Sequence, residues 1–379
     1  MKEKNNWSLI IAPAIEPSGR KAVGNYYLEH SEALNFVGER HCLLTVEFSK
    51  RKIPSLAKIN YKSVNYYKLT GFRPRVFGYL FWCIYCISAA LYLFVKEGKP
   101  KVILAQRGLL SGTVAFWINS IFGIPYVIIE HSSEVMEENY GSRDRKRLLR
   151  AYKRASKIAA VSGPLALSLV NLVPQGRKVD IIPNVAPVNS FKLDYDHNFD
   201  TNRPLKLVTV SNLVPNKRVE RLIPVIKGFI DRGFDVRLDI IGDGPEYKNL
   251  EKVIYREKLQ SKVRLLGKLN HEVIAESLGR YDCFVSKSAY ETFGVVYLEA
   301  LLCGVPVITS AGTGSNDIFD GNDFLGVTDS NLCIEDFIKL VKSYWYNDSE
   351  DSRRKRRQYV LSKFGYESVG RTLKDFINI

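Results

Sequence analysis

Short runs of aliphatic and β-branched residues alternate with longer helical patterns almost from one end of this chain to the other. Runs such as Tyr126-Val127-Ile128-Ile129 are apolar throughout, not at every second position, as strands covered on both faces must be. Strand candidates in the first half are 8–12, 41–47, 101–105, 125–130, 157–161 and 178–182, with helices at 25–38, 77–97, 110–121, 143–155 and 164–172. Such alternation predicts an α/β fold with helices on both sides of a parallel sheet. Residues 186–204 are rich in Asn, Asp and Pro, lack periodicity and read as a linker. The alternation then restarts, with strands at 205–210, 235–241, 263–267, 282–286, 305–309 and 324–327. Helices at 217–231, 246–258, 271–279 and 295–303 fall between them, and three more lie near 333–345, 350–363 and 366–377. At roughly 150 residues per domain, 379 residues make about two domains. The expected architecture is therefore two doubly wound halves, 1–185 and 205–363, facing across a ligand-binding cleft.

Composition narrows the function classes. With 46% hydrophobic and 25% charged residues, whole-chain disorder and fibrous folds are excluded. Lys and Arg outnumber Asp and Glu by 55 to 40, so the formal charge is +15 and the expected partner is anionic. No nucleic-acid recognition module accompanies that charge, so phosphorylated small molecules or an acidic membrane face are favoured. A dinucleotide oxidoreductase would need G-x-G-x-x-G after the first strand; residues 12–24 do not supply it, and Gly312-x-Gly314 comes late and lacks a third glycine. Six cysteines are too sparse for a disulfide scaffold, and the polar start shows no secretory signal, so a cytoplasmic protein is expected. Cys83 and Cys86 form a C-x-x-C inside an apolar run and read as buried, inert thiols. No metal is expected: Asp194-Tyr195-Asp196 lies in the linker, and His271-Glu272 lacks the second His of a zinc-protease helix.

Two segments have more than one reading. Phe77–Val95 carries no charge and is flanked by Arg73, Arg75 and Lys96. Its length approaches the ~20 residues that span a bilayer. A span would split the first half between two sides of a membrane, so a buried helix or one touching the membrane surface fits the alternation better. Arg353-Arg354-Lys355-Arg356-Arg357 reads as a solvated helix face or as a contact with anionic lipid.

The densest chemistry lies in Ser288–Thr309. Glu291 comes after a strand, Phe293-Gly294 opens a helix, and Glu299 lies eight residues beyond Glu291. A helix N-terminus offers unpaired N–H groups and a positive dipole end to phosphates and hydroxyls. Two carboxylates so placed can hold hydroxyls; they can equally be ordinary helix-start charges.

This segment resembles the E-x7-E signature of retaining glycosyltransferases of the GT-B fold, glycosyltransferase family 4 in particular. Around it, Asp282-Cys-Phe-Val-Ser286 is similar to the preceding strand, and Glu299-Ala300 with Gly304-Val305-Pro306-Val307 to the continuation E-A-x-x-x-G-x-P-V. Ile241-Gly-Asp-Gly-Pro245, Val161-Ser162, Ile182-Pro183-Asn184-Val185 and Gly123-Ile124-Pro125 are similar to further family segments in the same order. The resemblance implies two Rossmann-like domains, the acceptor side at 1–185 and the nucleotide-sugar side at 205–363, with a helix at 364–379 packing back on the first. It implies that Glu299 binds the ribose hydroxyls and that Glu291 hydrogen-bonds the donor sugar. The backbone at Phe293, Gly294 and Val295 would hold sugar and phosphate oxygens, and Lys217 would neutralise the diphosphate. Gly24 aligns with the glycine loop of the first domain, and His131 with a His or acid near the sugar. Asn212 stands where the family has an arginine, Asp317 where a glutamate is usual, and Arg218 is placed to compensate for Asn212.

The resemblance further implies a metal-independent hexosyl transfer from a nucleotide-diphosphate sugar to a glycan or lipid-linked saccharide, in surface-polysaccharide synthesis, with no further cofactor. The charge and the apolar segment suggest work at the inner face of the membrane. The alternative is an inactive glycosyltransferase-like scaffold, which Asn212 would explain.

Overall fold

The structure is a computed structural model and describes residues 6–13, 25–49, 53–61, 63–72, 78–194, 197–309, 313–319, 321–328 and 333–379. The chain divides into two compact units, Met1–Val185 with Phe364–Ile379, and Ala186–Lys363.

The first unit is built on eight strands: β1 (Ser8–Ala12), β2 (His41–Ser49), β3 (Ser55–Tyr61), β4 (Val64–Phe72), β5 (Val102–Gln106), β6 (Tyr126–Glu130), β7 (Lys157–Ala160) and β8 (Asp180–Ile181). They lie in the order β3-β4-β2-β1-β5-β6-β7-β8. All pairings are parallel except the hairpin β3–β4. Every residue of β1, β5 and β6 is buried, which is why their sequences do not alternate. The helices are α1 (Asn25–Phe36), α2 (Gly78–Glu97), α3 (Ser111–Phe122), α4 (Ser133–Met136), α5 (Ser142–Arg154) and α6 (Gly163–Ser168).

By length and composition α2 is long and apolar enough to cross a membrane. It is instead fastened to the sheet. Trp82, Cys83, Cys86, Ala89, Ala90 and Leu93 are buried, and the Trp82 indole donates to the Val46 carbonyl at 3.2 Å. The strands before and after it, β4 and β5, belong to one sheet, so the spanning alternative fails. Burial pushes the Cys83 thiol up to about 11 and Cys86 well above its ordinary value, so neither is a thiolate at neutral pH.

The second unit holds β9 (Leu205–Val210), β10 (Val236–Ile241), β11 (Val263–Gly267), β12 (Cys283–Ser286), β13 (Val307–Thr309) and β14 (Gly326–Thr328). All run parallel in the order β11-β10-β9-β12-β13-β14, the doubly wound arrangement of dinucleotide-binding folds. Its helices are α7 (Ile223–Ile230), α8 (Tyr247–Arg256), α9 (His271–Ser277), α10 (Val295–Leu302), α11 (Asn316–Phe319), α12 (Ile334–Asn347) and α13 (Glu350–Phe364). Leu207, Phe229, Leu238, Val285 and Phe337 belong to one buried cluster between the sheet and its helices. The last helix, α14 (Tyr366–Ile377), returns to the first unit and lies on α1, where the Tyr366 hydroxyl donates to Glu29 at 2.6 Å.

Three expectations need correction. Residues 186–204, read as a linker, are part of the second unit: Ala186 and Phe191 are fully buried, and Arg203 bonds Asp282 at 2.8 Å. The helix expected over 217–231 is broken. Two 3₁₀ turns, Pro215–Lys217 and Val219–Leu222, precede α7, which puts Pro224 in a first helical turn where its missing N–H does no harm. In the basic run only Arg354 and Lys355 are exposed. Arg353 and Arg356 are buried on Asp348 at 2.7 and 2.6 Å, and Arg357 donates to the carbonyls of Phe191 and Leu302. Those three arginines tie α13 to backbone carbonyls, so the run as a whole is not a solvated face.

Candidate active site

In the second unit the strand order reverses between β9 and β12, and open parallel sheets bind ligands outside the carboxyl ends of strands at such a point. The expected residues leave those two strand ends. Asn212 and Lys217 lie beyond β9; Glu291, Phe293 and Gly294 lie beyond β12.

The loop after β9 is braced by the glycines after β10. Gly242 and Gly244 have φ of 149° and 156°, and a Cβ on them would meet the carbonyl oxygens of Ser211 and Leu213 at 1.8 and 2.4 Å. The two loops are sewn together by Ser211 N–H to Ile241 O and Leu213 N–H to Asp243 O. This is the physical content of Ile241-Gly-Asp-Gly-Pro245: only glycines admit so close an approach of two main chains. Asn212 is exposed on the braced loop. Lys217 ends the first 3₁₀ turn, and Arg218 turns the chain with a left-handed φ of 46°.

Lys217 Nζ reaches Glu291 Oε1 at 2.6 Å, with side-chain exposures of 18% and 15%. The pair is therefore sheltered yet open to a ligand. The backbone supports it, since Ala289 N–H donates to Asn216 O at 2.7 Å. Gly294, with φ 91°, is the N-cap of α10, so the first amides of that helix point out just past Glu291. A Cβ at Gly294 would lie 2.6 Å from the Tyr297 ring, which is held by hydroxyl bonds to Ser286 and Thr309. The Phe293 side chain is buried, and Val295 is half-buried at the first position of α10. Glu299, one turn inside α10, pairs with His271 Nε2 at 3.0 Å.

Sequence reasoning missed two members of this group. In the sequence His271 reads only as a potential metal ligand, and its pairing with Glu299 depends on α9 lying beside α10. Gly314 reads there only as a dinucleotide glycine. Its N–H donates to Glu291 O at 2.9 Å, and a Cβ there would sit 2.2 Å from Thr292 O, so it packs directly on the Glu291 loop. Gly24 lies outside the described residues. Among the described residues no group of three or more His, Cys, Asp or Glu is placed to hold a metal.

His131 belongs to the first unit. It comes directly after β6, and the Glu130 carboxylate fixes the turn by accepting from the N–H groups of Gly108, His131 and Ser132 and from the Tyr152 hydroxyl. His131 Nε2 lies 2.7 Å from Gln106 Oε1, and Gln106 Nε2 lies 3.2 Å from His30 Nδ1. His30 Nε2 in turn lies 3.2 Å from Pro183 O. The carbonyl can only accept, so each proton along this row is fixed. His30 carries its proton on Nε2, and His131 also carries it on Nε2. His131 Nδ1 and Asn184 Oδ1 are both buried, and the Asn184 side chain lies within hydrogen-bonding reach of the imidazole. Burial, with His30 and Arg107 nearby, pushes the His131 imidazole well below its ordinary range, so it is neutral. Arg107 adopts φ 114° and donates to Ser132 Oγ at 2.8 Å, lining a cavity of about 180 Å³ with Glu134, Val135 and Tyr140.

The two sheets define the class of protein, a pair of Rossmann-like units of GT-B type. The structure superposes with a TM-score of 0.75 on the sucrose-phosphate synthase of Thermosynechococcus elongatus, at 18% identity over 98% of both chains. It superposes with 0.71 on Anabaena HepE in complex with UDP and glucose, at 17% identity over 98% of this chain and 99% of that one. Residues 194–360 match the family Glycosyl transferases group 1. Curated relatives include the N-acetyl-alpha-D-glucosaminyl L-malate synthase of Bacillus anthracis, 28% identical over 43% of this chain and 42% of the relative. The GPI3 subunit of phosphatidylinositol N-acetylglucosaminyltransferase of Saccharomyces cerevisiae is 27% identical over 37% of this chain. The matched part spans 32% of that yeast protein's length.

Proposed function

We infer that this chain is a glycosyltransferase that moves a sugar from a nucleotide-diphosphate sugar to a hydroxyl of a glycan or lipid-linked saccharide, with retention at the anomeric carbon. The observation that carries the reading is the sheltered Lys217–Glu291 pair at the switch point, just ahead of the Gly294 turn and the amides of α10. In the reaction the bond from the anomeric carbon to the diphosphate oxygen breaks, and a bond to the acceptor oxygen forms. Negative charge grows on the diphosphate, so donors already aimed there lower the barrier most. Lys217 and the α10 amides are those donors, with Arg218 at their edge. Glu291 holds Lys217 in place and accepts from sugar hydroxyls, while Glu299 accepts from the ribose, oriented by His271. The acceptor approaches on the face the diphosphate leaves, and its proton passes to the departing phosphate, so no protein base is required. His131, neutral in its buried setting, is the residue of the first unit that we assign to the substrate. No cofactor or metal is called for beyond the donor. The process we assign is bacterial surface-polysaccharide synthesis, in keeping with the family resemblance of the sequence.

The test is release of nucleoside diphosphate from UDP-, GDP- and ADP-sugars, with Lys217→Ala, Glu291→Gln and Glu299→Gln beside the parent chain. Loss of an interaction with a charged group is worth roughly 1.5–3 kcal/mol, about 10- to 100-fold. Glu299→Gln should therefore weaken donor binding by about that factor, and Lys217→Ala should lower turnover at least as much. Turnover unchanged in the Glu291→Ala, Glu299→Ala double variant would overturn the reading. Asn212, exposed where the family carries an arginine, favours one alternative, a scaffold without turnover; a parent chain that binds no nucleotide sugar decides for it.

A further inference from the structure

We propose that one face of the first unit, made by α2, α3 and the basic flank of α5, seats the protein on an anionic bilayer leaflet. Membrane seating of this kind is independent of the transfer reaction and is tested without it.

The buried residues of α2 account for one side of the helix only. Its exposed apolar residues, Leu80, Ile84, Leu91, Tyr92 and Val95, recur at helical spacing, and Val95 is 91% exposed. They form a single stripe along a helix of 20 residues, about 30 Å long. The stripe continues on α3: Phe94 meets Phe122 edge to face, and Trp117 and Ile121 are exposed at 47% and 63%. An apolar surface running over two neighbouring helices is more than scattered exposed side chains.

Charge decides what covers it. The thirteen residues of α5, Ser-Arg-Asp-Arg-Lys-Arg-Leu-Leu-Arg-Ala-Tyr-Lys-Arg, carry seven cations and one acid, Asp144, which already pairs with Arg147. Arg143, Arg147, Arg150 and Arg154 share one side of that helix by their spacing. Arg147 lies over the Tyr79 ring of α2 at 3.9 Å, and Arg154 over the Phe116 ring of α3 at 5.5 Å while donating to Ser120. The cations thus border the apolar stripe directly. Lys99 lies over Phe122 at its other end. A second copy of this chain would bring the same basic border and a net charge of +15 against itself, which opposes association through this face. An anionic leaflet supplies what both parts need: acyl chains for the stripe and phosphates for the border. Tyr92 and Trp117 then sit where aromatic side chains collect, at the level of the headgroups.

The experiment uses the full chain and vesicles of phosphatidylcholine alone or equimolar with phosphatidylglycerol. Trp117 is the exposed one of four tryptophans, so its emission reports the contact without labelling. Expected results are cosedimentation with the anionic vesicles, a blue shift of emission on binding, quenching by brominated lipid, and weakening by salt. Arg143→Glu with Arg150→Glu should cut partition to anionic vesicles at least tenfold. Ile84→Glu with Val95→Glu should abolish it, and both variants should unfold as cooperatively as the parent, since none of the four side chains is buried. Absence of binding to anionic vesicles overturns the proposal, as does binding that persists in both variants. A dimer of the parent that Ile84→Glu with Val95→Glu dissolves would assign the face to a second copy instead.

Discussion

His30 and His131 are neutral because burial disfavours the charged imidazolium. His30 is fully buried between Pro183 O and Gln106, and burial lowers its pKa from 6.5 to about 4. A histidine whose folded pKa is depressed contributes in full above the unfolded value and loses that contribution as pH falls toward the folded one. The window is therefore pH 6.5 down to about 4, and the shift corresponds to on the order of 3 kcal/mol. Denaturant midpoints across that window should fall less steeply for His30→Gln than for the parent; equal slopes would show that His30 does not carry the effect. Arg218 supplies a second case in which structure and function pull apart. Its left-handed φ of 46° costs a non-glycine residue roughly 1–2 kcal/mol. Arg218→Gly should leave thermal stability unchanged or slightly raised, yet weaken nucleotide-sugar binding. A variant that is both less stable and equally tight would remove Arg218 from the site.

Elements show which parts of the molecule the sequence could and could not disclose. Buried strands such as β1, β5 and β6 are legible because continuous apolar runs leave them no other place. The hairpin β3–β4 is not legible, because β3 is largely exposed and its residues carry no core signal. The Glu291–Glu299 spacing is legible, but its setting is not: His271 and Gly314 reach those residues only through tertiary packing. The basic run of α13 misleads for a related reason. Sequence cannot say which of five adjacent cations face inward, and burial of Arg353 and Arg356 depends on one acceptor, Asp348, and on the carbonyls of Gly279, Tyr281, Gly304 and Phe324. Removing one partner from a buried ion pair costs about 3–5 kcal/mol, whereas exposed pairs are worth about 1 kcal/mol or less. Arg353→Met should therefore destabilise the second unit by about 3–5 kcal/mol. Arg354→Met, one residue away on an exposed i,i+4 pair with Glu350, should change it by less than about 1 kcal/mol. Comparable losses for both, read from urea unfolding, would place Arg353 in solvent.

At the scale of the whole molecule, the chain is not divided where its sequence is. The first unit is closed by the last residues, because α14 lies on α1 with Val369, Leu373, Phe376 and Ile377 buried. The contact is close enough to admit only a glycine at its centre: a Cβ on Gly370 would lie 2.4 Å from the backbone oxygen of Ala33 and 3.0 Å from Val37. A backbone oxygen cannot step aside as a side-chain tip can, so a larger residue must lift the helix. Lys374, which donates to Val37 O at 3.1 Å, and Tyr366, which holds Glu29, would then lose their partners together. Overpacking of this kind costs about 1–3 kcal/mol, and unpaired buried groups add to it. Gly370→Val should speed amide exchange in α1 and α14, at opposite ends of the sequence, while β9, β10 and β12 exchange as in the parent. Nucleotide binding, which the proposed reading places in the second unit, should survive. Faster exchange spread evenly over both units would show that they unfold as one body, and the assignment of the C-terminal helix to the first unit would lose its energetic meaning.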